Sequence, residues 1–194
     1  HNLLTYSEDF SNAAWAKSSF GTASVPVVTA NAGIAPDGTT TADRIVFDCG
    51  AGTTAGDQST IQQSVSELSR PLKQSVWLKS TDGVSSQTIK LRNQSTDFSN
   101  VTVTGAWQEF TLDVTTAGGT IQQLQNSGNF GTAVVDVLVW GWHSYRSDLG
   151  GMVDNPDTGD SYVPTTSSAR YLPRRGNHIY NGSEGVNAGY LNES

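Results

Sequence analysis

The sequence predicts an all-β protein built as an antiparallel β-sandwich. Three observations carry this expectation. Apolar and polar residues alternate with period two in segment after segment. Turn-forming residues punctuate those segments at short intervals. Only one stretch has helical character, and Ser (23), Thr (22) and Gly (20) make up about a third of the 194 residues, a composition that favours strands and tight turns.

Taken in order, "NLLTY" (2–6) is a first candidate strand, and "SNAAWAKS" (11–18) predicts a helix of two turns at most, with Ser11 as its cap. "SVPVVTA" (24–30) and "ADRIVFD" (42–48) predict strands on either side of the "PDG" turn (36–38). "DCGAGTTAGDQ" (48–58) predicts a loop excursion, and "TIQQSVS" (60–66) a weakly patterned strand. "KQSVWLKS" (73–80) places Val76 and Leu78 on one face and Ser75, Trp77 and Lys79 on the other. After "TDG" (81–83), "QTIKLRN" (87–93) repeats the pattern, with Ile89 and Leu91 opposed to Lys90 and Arg92. "WQEFTLDV" (107–114) opposes Phe110 and Leu112 to Trp107, Glu109, Thr111 and Asp113. Past "AGG" (117–119), "TIQQLQN" (120–126) is again weakly patterned. "AVVDVLVWGWH" (133–143) is nearly continuously apolar, which predicts a central strand covered on both faces. Strict alternation along it puts Trp140 and Trp142 on one face with Leu138, as core residues. Eight or nine strands result, and periodicity leaves jelly-roll and immunoglobulin connectivity both open.

Composition excludes several function classes. Charged residues are 15% of the chain and the net charge is −7. Up to Val163 there are 8 Lys/Arg against 16 Asp/Glu, and beyond it 3 against 2. A nucleic-acid partner needs a concentrated basic face, so none is expected. No apolar run approaches a membrane span. The single Cys49 allows no disulfide within the chain. Three histidines (His1, His143, His178) offer little for a triad or a zinc site, and no nucleophile-elbow, zincin or P-loop motif occurs. The expectation is a protein that is not an enzyme and has no cofactor. Oxygen ligands for a structural calcium ion could come from Glu8 or Asp9, or from Asp154, Asp157 and Asp160. The plainer reading of both stretches is a turn.

Five tryptophans are many for this length, and indole rings on a rigid sheet suit the C–H faces of sugars. Trp77 stands out, because its strand already has a core face in Val76 and Leu78. If 73–80 pairs with 87–93, then Trp77, Lys79, Lys90 and Arg92 form one patch suited to an anionic polysaccharide, with His143 joining the same surface. The competing reading is a solvated face with lysine stems covering Trp77.

"NLLTYSEDFSNAAWAK", "APDGTTTADRIVFD", "IQQSVSELSRPLKQSVWLKS", "VTGAWQEFTLDV", "VLVWGWHSYRSD" and "SYVPTTSSARYLP" follow one another in an order that resembles the carbohydrate-binding-module-like domains of tailed-phage head fibres, tail fibres and spikes, and their relatives on gene-transfer particles. Where such domains carry a Gly-Ala-Gln-Leu-Glu-like run, this chain has "GWHSYRSD", with Trp142, His143 and Tyr145. The resemblance implies a jelly-roll sandwich displayed on the virion surface and made in the host cytoplasm. It implies either attachment to bacterial surface polysaccharide or a purely structural role. Implied partners are that polysaccharide and other virion proteins, with a trimer as one expected assembly. A third, weaker reading is an accessory module of a polysaccharide-degrading spike.

The expected organisation is a sandwich over residues 2–168 and a connector or extended arm over 169–194. "SYVPTT" (161–166) is expected to run back along the sandwich, with Tyr162 and Val163 packing down. The arm, with Arg170, Arg174 and Arg175, is expected to contact a neighbouring chain or precede a further module.

Overall fold

A computed structural model describes residues 2–65, 71–93, 97–114, 121–147, 162–170, 178–180 and 185–187. Apart from 2–6, the expected strands form, and two more, Ala16–Phe20 and Asp97–Val103, join them. The sandwich comprises β1 (Ala16–Phe20), β2 (Ser24–Gly33), β3 (Ala42–Asp48), β4 (Gln58–Ser64), β5 (Leu72–Ser80), β6 (Gln87–Asn93), β7 (Asp97–Val103), β8 (Gln108–Val114), β9 (Ile121–Ser127) and β10 (Val134–Arg146). One five-stranded antiparallel sheet has the order β1-β4-β9-β6-β7 and the other β2-β3-β10-β5-β8. Successive strands cross repeatedly between the sheets, which makes a jelly-roll sandwich. Beyond it, β11 (His178–Tyr180) and β12 (Gly185–Asn187) form a short antiparallel pair within the segment expected as an extended arm.

The inward-facing residues are those that alternation selects. Val76 and Leu78 on β5, Ile89 and Leu91 on β6, and Val135, Val137 and Val139 on β10 are all buried in one core. Phe110 and Leu112 on β8 pack against it. The long apolar strand β10 is the middle strand of its sheet, as its two-sided apolarity predicts.

Three local expectations are corrected. Residues 11–15 form turns rather than a helix, and β1 starts at Ala16. Asp9 organises these turns, accepting bonds from Ser11 Oγ (2.6 Å) and the Asn12 N–H (3.2 Å). The Lys17 ammonium donates to the carbonyls of Ser11, Asn12 and Trp15 at 3.2–3.3 Å. These local bonds satisfy the loop backbone in place of a helical ladder. Residues 2–6 are not a strand: one bridge joins Asn2 to Arg170, and the N–H groups of Leu3 and Tyr6 donate to the carbonyls of Ser144 and Thr166, both at 2.8 Å. Asn2 ties this end together, its Nδ2 donating to the carbonyls of Trp142 and Val163, both at 3.0 Å.

The third correction is in β10. Gly141 has φ +63°, and the register with β5 shifts between Trp140 and His143. This is a β-bulge, with glycine supplying the left-handed residue. It reverses the facing of every residue after it. Trp142 therefore turns into the core with 0% exposure, stacked on Trp15 at 4.9 Å between ring centroids. Its Nε1 donates to Gln74 Oε1 at 3.1 Å. Trp140 stays on the outer face with Leu138. The two tryptophans do not share a face.

Candidate functional site

The two outer faces of the sandwich differ in chemistry. On the sheet containing β5, Trp140 is the direct cross-strand partner of Trp77. Both belong to a second apolar cluster with Trp107, Leu138, Tyr162 and Ala42. The cluster is partly covered by its surroundings, with Trp140 buried and Trp77 and Trp107 half-buried. Trp140 is 6% exposed and donates from Nε1 to Thr41 Oγ1 (3.0 Å), and Trp107 donates from Nε1 to the Ile34 carbonyl (3.1 Å). Tyr162 lies against Trp140 at 4.9 Å, and its hydroxyl meets Ser7 Oγ and donates to Glu8 Oε1, both at 2.8 Å. Burial first, and then the Glu8 charge, push the Tyr162 pKa far above its ordinary value, with the Ser7 bond acting the other way. His143 is beneath this cover, fully buried and edge-on to Tyr162 at 5.9 Å. Its expected place on an accessible binding surface is corrected: the bulge does put it on the outer face, but it is buried there against Tyr162.

The opposite outer face, across β1, β4, β9 and β6, is open. A groove of about 430 Å³ lies here. Its floor is a row of amides set side by side by strand register: Gln62 of β4 opposite Gln123 of β9, and Gln123 opposite Arg92 of β6. The side chains are bonded in sequence. Arg92 Nη1 donates to Gln123 Oε1 (3.3 Å) and Gln125 Oε1 (3.1 Å), and Gln123 Nε2 donates to Gln62 Oε1 (2.7 Å). Each link fixes the rotamer of the next, so the polar floor is preorganised. Ser18 Oγ and Thr60 Oγ1, 2.8 Å apart, extend the polar surface towards β1.

Apolar rings flank this floor. Phe20, 57% exposed, lines the groove at the β1 end. Phe98, 50% exposed, stands on β7 as the register partner of Arg92. The Lys90 ammonium sits over the Phe98 ring at 4.6 Å and near the Phe130 ring at 5.6 Å, contacts that attract a cation. Burial, and secondarily the charge of Arg92, lower the Lys90 pKa below its ordinary value.

The expected five-residue patch therefore divides. β5 pairs with β10 and β8, whereas β6 pairs with β7 and β9 in the other sheet. Lys90 and Arg92 are together on the open face, and Trp77 and Lys79 lie on the far side of the sandwich. Trp77 is half-buried in the cluster around Trp140. Sequence reasoning missed Gln62, Gln123 and Phe20. The available signal was the repeated Ile-Gln-Gln at 61–63 and 121–123, two strands whose outward residues are uncharged and, apart from the groove-lining Ile121, hydrogen-bonding.

Among the described residues, no group of three or more His, Cys, Asp or Glu could hold a metal ion. Glu8 and Asp9 take the bonds given above, while Asp154, Asp157 and Asp160 lie outside the described residues.

No protein-family model matches the chain, and no curated protein matches it. Solved structures do. The enzymatically active domain of tailspike protein 4 from bacteriophage CBA120 is similar at 16% identity and a TM-score of 0.48, over 75% of this chain and 21% of that one. The CBM22-1 xylan-binding domain of Paenibacillus barcinonensis Xyn10C is similar at 16% identity and a TM-score of 0.47, over 75% and 94%. TmCBM61 in complex with β-1,4-galactotriose is similar at 11% identity and a TM-score of 0.46, over 75% and 99%. The chain spans about a fifth of the tailspike chain it matches. The solved structures that this chain is similar to thus include carbohydrate-binding-module β-sandwiches and a phage tailspike domain.

Proposed function

We propose that this protein is a non-catalytic glycan-binding module that recognises bacterial surface polysaccharide. The observation that carries the reading is the open groove with its bonded floor of Gln62, Gln123 and Arg92 and the exposed rings of Phe20 and Phe98. Amide and guanidinium groups match sugar hydroxyls, and the flanking rings match their C–H faces. A rigid sheet holds both sets without reorganisation on binding. The cluster around Trp77 and Trp140 is structural in this reading. The place of action, a phage or phage-like virion surface engaged in host attachment, is supported by the sequence resemblance.

A glycan array of bacterial surface polysaccharides, followed by titration of any hit, tests the reading. Gln123→Ala and Gln62→Ala should each weaken binding about tenfold, roughly 1.4 kcal/mol, and Trp77→Phe should leave it unchanged. Absence of binding across the array would remove the proposal.

A second reading, a structural head-decoration or fibre module, is favoured by the edge strand β2. Val25 and Val27 are 50% and 64% exposed there, apolar groups suited to contact with another chain. Light scattering coupled to size-exclusion chromatography distinguishes it: a stable trimer with no glycan affinity would favour this alternative.

A further inference from the structure

We propose that Asp57 is a positioning residue for glycan recognition: through the Gly21–Thr22 turn it holds the Phe20 ring in place as a wall of the groove. The inference rests on the glycan-binding reading and deepens it.

Phe20 needs a support that its own strand does not supply. It is the last residue of β1, a five-residue strand at the border of its sheet, paired with β4 alone among the described strands. Its ring is 57% exposed and lines the groove. Directly after it the chain turns, with the Ala23 N–H donating to the Phe20 carbonyl at 3.2 Å, and leaves for β2 in the other sheet. A strand end of this kind frays readily, and a ring carried on a frayed end must be ordered when a ligand binds.

Asp57 supplies the support. Its Oδ1 accepts the Thr22 N–H (3.0 Å) and hydroxyl (3.1 Å), and its Oδ2 accepts the Thr54 N–H (3.1 Å) and hydroxyl (2.7 Å). Hydrogen bonds to an ionised acceptor are the stronger kind. One carboxylate thus ties the turn after β1 to the loop before β4. The Thr22 hydroxyl also reaches the Cys49 carbonyl, at 3.0 Å. The fit is close: Gly21 has φ +63°, and a Cβ there would collide with the Asp57 carboxylate. Asp57 leads directly into Gln58, which is the register partner of Phe20 and another groove-lining residue. The same residue therefore fixes both the turn that follows Phe20 and the start of the strand that backs it.

Asp57 itself is 7% exposed, and the groove is lined by its neighbours Gln58 and Phe20. Its effect on affinity must pass through groups that do reach the ligand, as the second layer of a preorganised site does. This separates positioning from a general contribution to stability. A carboxylate that only stabilised the fold would change binding equally with the ring present or absent.

The test is a double-mutant cycle, read by titrating folded variants with a glycan that binds on the array. Phe20→Ala should weaken binding about tenfold. Asp57→Asn places an amide donor against N–H and O–H donors, and should weaken binding about fivefold in the wild-type background but less than about twofold in the Phe20→Ala background. Thr22→Val removes a hydroxyl without altering charge. It should weaken binding about threefold and lose that effect when Phe20 is alanine, and it serves if Asp57→Asn misfolds. Equal losses in both backgrounds, or no loss in either, overturn the positioning role and leave the glycan reading standing. Phe20→Ala without effect does the same. No binding by the wild-type protein anywhere on the array overturns both.

Discussion

Trp140 and Trp142 are two residues apart on one strand and face opposite sides of the sandwich. One is the outer-face partner of Trp77, and the other is stacked on Trp15 in the core. The glycine between them, in the left-handed region at φ +63°, sets this arrangement. Gly141→Ala would force a Cβ into that conformation, at a cost of about 1–2 kcal/mol. A Cβ at this position meets only ordinary contacts, the nearest at 3.5 Å to Tyr162, so backbone strain is the whole of the expected effect. Chemical denaturation should show that loss with the fold retained.

The core contact should be far more sensitive than the outer one. Trp142→Ala removes a fully buried ring stacked on Trp15 and leaves Gln74 Oε1 without its indole donor. A loss of about 3–5 kcal/mol is expected, a large share of the roughly 5–15 kcal/mol of an ordinary domain. Thermal unfolding beside Trp77→Phe, expected within about 1 kcal/mol of wild type, makes the comparison.

Acid should loosen the loops at one end of the sandwich. Asp57 accepts bonds from the N–H and hydroxyl of Thr22 and from the N–H and hydroxyl of Thr54. These bonds, the Thr22 N–H first, hold its pKa at about 2 against an ordinary 3.8. A folded value below the unfolded one means stabilisation that is full above about pH 4 and lost as pH falls through about 2. Asp82 is lowered for the same reason, chiefly by the Ser85 hydroxyl. Stability measured from pH 5 to 2 should fall, and Asp57→Asn should be less stable at neutral pH and fall less steeply.

Lys17 should act as an internal cation for the 8–15 loop. Its ammonium bridges three carbonyls, and burial lowers its pKa against the attraction of Asp9 and Asp43. Lys17→Met keeps the stem and removes the charge, at an expected cost of about 1–2 kcal/mol. Proteolysis should then cut first between residues 8 and 15; an unchanged digestion pattern would show that the loop does not depend on the ammonium.

Much of the fold could be read from the chain because period-two alternation fixes which side chains face inward. Ile89, Leu91, Val76 and Leu78 are buried as that pattern requires. Alternation does not say which strand lies beside which, so Lys90 and Arg92 could be assigned a face but not a neighbour. That is why the expected patch with Trp77 and Lys79 did not form. β7 escaped notice because its apolar Phe98 points outward and only Val101 and Val103 mark its inner face. The bulge was legible in principle, since an isolated glycine inside an apolar strand marks such a site. The groove was not, because Gln62 and Gln123 are 61 residues apart and meet only through register.

The two faces can be separated by one measurement. Side-chain amide and indole N–H signals of the isotope-labelled protein report on the groove and on the tryptophan clusters in a single spectrum. On titration with a glycan that binds on the array, the amide signals of Gln62, Gln123 and Gln125 should shift with saturation, and the indole signals of Trp77, Trp107 and Trp140 should stay in place. Shifts confined to those indoles, with the groove amides unmoved, would contradict the assignment of the groove and place the ligand on the opposite face.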